Sequence, residues 1–172
     1  MTIEPEHFNT LTCTASEFGE LGAELLARGN LVRFTARGSS MHPLVRNGDI
    51  LLIEPYNHGG VRVGDIVLCT TETGQVLVHR VLRNRADGNG KRFLIQGDQS
   101  PKPDGWIPQK QIHGRLVEIE RDGRLMKVIR CRVRFLGLLI VLVQTLGMRQ
   151  SLTTRIVSIL LKRSTGFAEY IK

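Results

Sequence analysis

The sequence predicts a mainly β protein with a short N-terminal helix and C-terminal helices. Three observations predict it. Six short runs rich in Val, Ile, Leu and Phe, LVRFTARG (31–38), DILLIEPY (49–56), GDIVLCTT (64–71), QVLVHRVL (75–82), RFLIQGD (92–98) and GRLVEIERDGRLMKVI (114–129), are joined by segments dense in Gly, Asn, Asp and Pro. Such runs and joints argue for antiparallel strands. A run of helical period precedes them, and after residue 130 the chain changes to a basic, apolar stretch without acidic residues up to residue 163. A length of 172 residues suits one globular domain with a short extension.

The elements follow in chain order. Residues 1–14 read as a loose tail. The N-terminus, MTIEPEHFNT, has neither a basic start nor an apolar core, so no secretory signal peptide is expected. In SEFGELGAELLAR (16–28), Phe18, Leu21, Leu25 and Leu26 share one face while Glu17, Glu20 and Glu24 lie elsewhere. A short amphipathic helix is expected there, capped by Ser16 and stopped by Gly29-Asn30. The β runs come next, with ERDGRL (120–125) as a tight hairpin and RADGNGK and SPKPDG as loops.

In the last segment the uncharged stretch 135–148 is too short to span a membrane, since as a helix it reaches ~21 Å against a hydrocarbon core of ~30 Å. Extension to residue 161 brings in Arg149 and Arg155, at ~2.5–3.5 kcal/mol each near the bilayer centre. The segment is therefore read as lying in the membrane interface. Arg130, Arg132 and Arg134 on one side and Arg149, Arg155, Lys162 and Arg163 on the other suit anionic headgroups. The alternative is a helix pair packed on the β domain or on a partner copy. The expected division is thus a tail and helix at 1–30, a β domain at 31–130 and a basic, hydrophobic helical segment at 131–172, with membrane contact through 131–163 on a side the sequence does not specify.

Charge supports that division. The chain carries 24 Lys and Arg against 16 Asp and Glu, a net +8, but residues 1–114 hold 12 of each sign. The excess lies wholly in 115–172, where basic residues alternate with Leu, Ile and Val rather than with stacking aromatics, so nucleic-acid binding is not expected. Cys13, Cys69 and Cys131 form neither a disulfide framework nor a zinc pattern, and no metal or cofactor is expected.

Three clusters can carry chemistry. In GSSMHP (38–43), a serine hydroxyl can project from a turn whose backbone N–H groups face an oxyanion, although Ser-rich turns are usually just turns. In QVLVHRVL, His79 shares a strand face with Leu77 and Val81, and Arg80 shares the other with Val78 and Leu82. Both polar groups then need partners, because unpartnered burial costs ~1–3 kcal/mol or more. A buried His with one satisfied hydrogen bond is the plain account; a base for a serine is the chemical one. In QGDQSPKPDG (96–105), Asp98 and Asp104 straddle a Pro-containing loop. One carboxylate can orient an imidazole and the other can pin the loop, or each can simply make an Asx-turn.

Taken in order, GSSMHP, NGD before an apolar strand, GDIVLC, LVHRVL, FLIQGD and the trailing Asp104 resemble the type I signal peptidases, over roughly residues 31–120. The Ser–His branch of archaea, endospore-forming bacteria and the endoplasmic reticulum is the most similar. The resemblance implies the β fold shared with SOS-repressor-type peptidases, and no cofactor. It implies Ser40, before Met41, as nucleophile, His79, before Arg80-Val81, as general base, Asp104 as the acid supporting it, and Asp98 as a structural neighbour. It implies a protein or peptide substrate, a signal or leader peptide among them, with small residues preferred before the cut. Two further readings stay open: a self-cleaving SOS-repressor-type regulator, whose base is typically Lys and whose Ala-Gly or Cys-Gly cleavage dipeptides do not occur here, and a non-enzymatic peptide-binding module docked on a membrane.

Overall fold

The computed structural model describes residues 14–128 except 57–59 and 89. The tail at 1–13, Cys13 and Cys131, and the 131–172 segment with its expected membrane contact lie outside the described residues.

Helix α1, Ala15–Ala27, begins at Thr14 and not at the expected Ser16. Thr14 Oγ1 accepts from the Glu17 N–H and the Glu17 carboxylate accepts from the Thr14 N–H, a capping box that satisfies two otherwise orphaned donors. The expected stop is present. Gly29, at φ 87°, donates to Leu26 O and Asn30 donates to Leu25 O, closing a Schellman motif. The buried face differs from the expected one. Leu26 is buried and Phe18 and Leu25 are half-buried, but Leu21 is exposed, because the helix approaches the sheet through Gly19 and Gly22. A Cβ on Gly19 would run into the Val76 side chain, so the small residues, rather than the largest apolar ones, set the line of contact.

Eight strands follow among the described residues: β1 Val32–Thr35, β2 Ile50–Pro55, β3 Ile66–Thr70, β4 Val76–Asp87, β5 Gly90–Gln96, β6 Gly105–Pro108, β7 Ile112–Arg121 and β8 Arg124–Lys127. All pair antiparallel in the order β1-β2-β7-β3-β4-β5-β6, with β8 also on β7. The expected ERDGRL hairpin is the β7–β8 turn, where Asp122 (φ 51°) and Gly123 (φ 72°) make the two-residue left-handed bend that matches strand twist. Two stretches expected as loops are partly strand. β4 continues through Asp87 because its pairing with β5 holds an exposed two-stranded ribbon together, and Gly105–Pro108 pairs with β5 as β6.

Both faces of the sheet are covered. Ile66 and Leu68 of β3 enter one cluster with Leu26, Met41, Leu51, Ile53, Leu116 and Ile119, under α1. Val67 and Cys69 enter the other with Val81, Phe93, Ile95, Ile107 and Ile112. Four consecutive buried residues therefore make β3 read as an unbroken apolar run.

Two Arg-x-Gly-Asp turns lead into β2 and β3. In each, the Asp N–H donates to the Arg carbonyl (3.1 Å in both), and the Asp carboxylate accepts from the Arg N–H, at 2.7 Å for Asp49–Arg46 and 2.9 Å for Asp65–Arg62. Gly48 (φ 91°) and Gly64 (φ 92°) take the left-handed position. Asp49 is further gripped by Arg121, with Nε and a terminal nitrogen on its two oxygens at 2.8 and 2.6 Å. This ties the loop bearing Ser40 to the end of β7.

Candidate active site

Strand alternation puts His79 and Arg80 on opposite faces of β4, and each finds a partner from the β5–β6 loop. The Arg80 guanidinium, fully buried, donates from Nε and a terminal nitrogen to Asp98 Oδ1 and Oδ2 at 2.7 and 2.6 Å, and also to the Gly64 carbonyl at 3.1 Å. The Asp98 side chain is 3% exposed. A fork of this kind needs the planar guanidinium, and removing either partner would strand a buried charge. Its geometric effect is to fasten the start of the loop to β4 beside His79.

The other end of the loop carries Asp104, whose N–H donates to Ile95 O at 2.9 Å. Asp104 Oδ2 lies 2.7 Å from His79 Nδ1, and His79 Nε2 lies 2.8 Å from Ser40 Oγ. The two aspartates thus divide the tasks left open by their spacing: Asp104 meets the imidazole and Asp98 meets the guanidinium. The His79 side chain is 6% exposed and that of Asp104 21%, while Ser40 sits on an exposed loop. A carboxylate accepting the Nδ1–H fixes the tautomer whose bare Nε2 accepts from the serine hydroxyl.

Ser40 is positioned from both sides. Met41 beside it is buried in the core under α1 and anchors the loop. Its own carbonyl accepts from the Gln99 N–H at 2.8 Å, joining the Ser40 loop to the 97–104 loop. Gly97 makes that joint possible. A Cβ there would fall 2.5 Å from Ser100 Oγ, 2.8 Å from Ser40 O and 3.0 Å from His79 Nε2. Gly97 stands within a motif quoted from the sequence, yet its role as a spacer is not readable there, since glycine before aspartate also signals an ordinary turn. Gln96, buried at the end of β5, steadies the loop with a 2.6 Å bond from its side-chain amide to the Ser100 carbonyl.

A second hydroxyl–imidazole contact joins Thr70 Oγ1 and His113 Nε2 at 2.8 Å across β3 and β7. Burial holds the His113 pKa below its ordinary value, but no carboxylate among the described residues orients its ring. Beyond Asp104 a cleft of about 420 Å³ opens between the β3–β4 turn and β6, with Glu72, Leu77, Arg92 and Trp106 among its lining residues. The sequence patterns do not mark it, because its walls come from three separate segments. Among the described residues no cluster of metal-ligating side chains is found, and no helix is long and apolar enough to cross a membrane.

The comparisons agree with this architecture. The chain is similar to the signal peptidase complex catalytic subunit SEC11 of Eremothecium gossypii, 29% identical over 110 residues, which are 60% of this chain and 60% of that protein. The match therefore spans less than two thirds of that relative's length. A family model described as Peptidase S24-like matches residues 10–117, which include Ser40, His79, Arg80, Asp98 and Asp104. With its antiparallel β fold and a family match over more than half its length, the chain belongs to the Peptidase S24-like family.

Proposed function

We propose that the protein is a serine endopeptidase of the signal-peptidase type, with Ser40 as nucleophile, His79 as general base and Asp104 as the group that orients and charge-balances His79. The observation that carries this reading is the unbroken hydrogen-bond chain from Ser40 Oγ through the imidazole to Asp104 Oδ2. Serine is a poor nucleophile until a base accepts its proton, and a base must lie within hydrogen-bond reach to do so.

In this mechanism Ser40 Oγ attacks the peptide carbonyl carbon while His79 Nε2 takes the hydroxyl proton. The imidazolium is stabilised by Asp104. The Ser40 backbone N–H is the candidate donor to the oxyanion. His79 then gives the proton to the leaving nitrogen, the C–N bond breaks, and the acyl group stays on Ser40. A water, deprotonated by His79, hydrolyses the ester and restores the serine. Arg80, Asp98 and Met41 hold the two loops that deliver these groups. The substrate is a protein or peptide, a signal or leader peptide by similarity to the SEC11 subunit, and the basic 131–163 segment holds the enzyme at a membrane surface.

The test is cleavage of peptides and preproteins by the full chain and by Ser40→Ala and His79→Ala. Each substitution is expected to abolish cleavage while thermal unfolding stays cooperative; full activity in either variant sinks the reading. Asp104→Asn should retain the fold but lose several powers of ten in kcat, about 10⁴-fold, by favouring the wrong tautomer.

A further inference from the structure

The hydrolytic step of the proposed mechanism needs a second group. The attacking water gives its proton to His79 Nε2, and a single hydrogen bond leaves it free to swing about that bond, away from the acyl carbon. Once the amine has left, Ser40 Oγ is esterified and no longer donates to Nε2, so the imidazole is open to that water.

Ser100 stands beside this opening. Its hydroxyl, the Ser40 carbonyl and the imidazole converge on Gly97: the point at which a Cβ would sit is 2.5 Å from Ser100 Oγ, 2.8 Å from Ser40 O and 3.0 Å from His79 Nε2. Ser100 Oγ and Nε2 are therefore no more than about 5.5 Å apart, within the ~5.6 Å that one bridging water spans with two bonds of ~2.8 Å. Gly97 puts no side chain between them. Among the described residues the hydrogen-bond partner of Nε2 is Ser40 Oγ, so the Ser100 hydroxyl is a neighbour of the imidazole and not its partner.

The backbone holds Ser100 in that place. Its N–H donates to the Gly97 carbonyl at 2.9 Å, and its carbonyl accepts from the side-chain amide of buried Gln96 at 2.6 Å. The residue is only half-buried, so solvent reaches it. The Ser40 carbonyl is the other polar atom at this point, but it already accepts from the Gln99 N–H and can only accept, whereas a hydroxyl both accepts and donates.

We infer that Ser100 is a positioning residue for hydrolysis of the acyl-enzyme, its hydroxyl holding the attacking water against His79 Nε2; this rests on the peptidase reading. One O–H of the water donates to Nε2 and the other to Ser100 Oγ, which turns an oxygen lone pair toward the acyl carbon. As the new C–O bond forms, the first proton passes to Nε2. The bond between that carbon and Ser40 Oγ then breaks, Oγ takes the proton from His79, and the free acid leaves. Ser100 gains and loses no proton. Formation of the acyl-enzyme does not use this water, so Ser100 acts on one half of the reaction.

The test uses the full chain and an activated ester of a peptide ending in a small residue, with the reaction quenched at intervals and the mass of the intact protein followed. Appearance of the acyl adduct reads the first half of the reaction, and its loss reads the second. Ser100→Ala is expected to form the adduct at a rate within about twofold of wild type and to lose it roughly threefold to tenfold more slowly, the worth of one hydrogen bond. No greater build-up of adduct in Ser100→Ala than in wild type, or formation slowed as much as loss, overturns the inference and leaves the peptidase reading intact. If Ser100→Ala does not fold, Ser100→Cys, close in volume and weaker as a hydrogen-bonding group, decides by the same two rates. An ester left uncut by wild type, or an adduct formed equally by Ser40→Ala, overturns both readings.

Discussion

Replacing Gly97 by Ala adds one methyl group at the joint between the Ser40 loop and the 97–104 loop. The new Cβ would sit 2.5 Å from Ser100 Oγ, 2.8 Å from Ser40 O and 3.0 Å from His79 Nε2, about 0.4–0.9 Å inside ordinary van der Waals contact. Ser100 Oγ can rotate away. The Ser40 carbonyl cannot move freely, because it accepts from the Gln99 N–H, and the imidazole is held by Asp104. The relief must therefore come from the 2.8 Å Ser40–His79 contact. A misplacement approaching 1 Å costs on the order of 10²-fold in rate, so kcat should fall roughly tenfold to a hundredfold with a smaller change in KM. Overpacking costs ~1–3 kcal/mol, which in a domain of this size lowers Tm by roughly 5–15 °C. Steady-state peptide cleavage and calorimetry on the same sample measure both. Wild-type kcat and Tm in Gly97→Ala would refute the claim that this glycine spaces the two loops.

Asp98→Asn leaves the buried Arg80 guanidinium without its counter-charge, and should destabilise by ~3–5 kcal/mol, read as a lowered urea midpoint. Asp49 gives a pH prediction. Burial by itself would raise its pKa, but the Arg121 fork, the Arg46 N–H and the nearby guanidinium charges more than offset this and hold it below 3.8. A depressed folded value contributes stability that is fully present above the unfolded value and is lost as pH falls through the folded one. Wild type should therefore lose stability below about pH 4. Asp49→Asn should be weaker at neutral pH and show a shallower acid limb in urea titrations. Burial, reinforced by the Asp104 charge, pushes the Cys69 thiol up to about 12. In a Cys13→Ser, Cys131→Ser background it should ignore a disulfide reagent at about pH 8 until the protein is unfolded; prompt reaction of the native protein would contradict its placement.

Much of the fold was legible because strand pattern and turn chemistry agree locally. ERDGRL carries its own bend, and Gly29-Asn30 carries its own stop. What escaped depends on partners distant in sequence. The four residues of β6 have no pattern of their own and become a strand because β5 offers an edge, with Leu94 opposite Trp106. The polar end of β4 reads as loop, yet pairing to β5 fixes it as ribbon. The helix cap fell at Thr14 because its spacing to Glu17 permits the reciprocal pair of bonds, and Leu21 turned outward because glycines lead the approach. At the site, residue types and chain order singled out Ser40, His79, Asp98 and Asp104. Which carboxylate meets the imidazole was left open by spacing and given only by the resemblance, since it depends on how the 97–104 loop is fastened, and the fastening is a set of contacts from Arg80, Gln96 and Gly97 that spacing alone does not encode.

The hydrogen-bond chain joins segments 39 and 25 residues apart, and the Gln99–Ser40 backbone bond crosses a longer interval still. Contacts of such separation form late, after the local hairpins, because the loops they close must be ordered first. The hairpins β3–β4, β4–β5, β5–β6 and β7–β8 close over shorter intervals than Ser40 to His79, whereas β2–β7 closes over a longer one. On the proposed mechanism, unfinished copies in the same population present Ser40 without His79 beside it. In a refolding time course, return of hydrolysis marks the final docking of the two loops, whereas the far-ultraviolet signal marks the earlier hairpins.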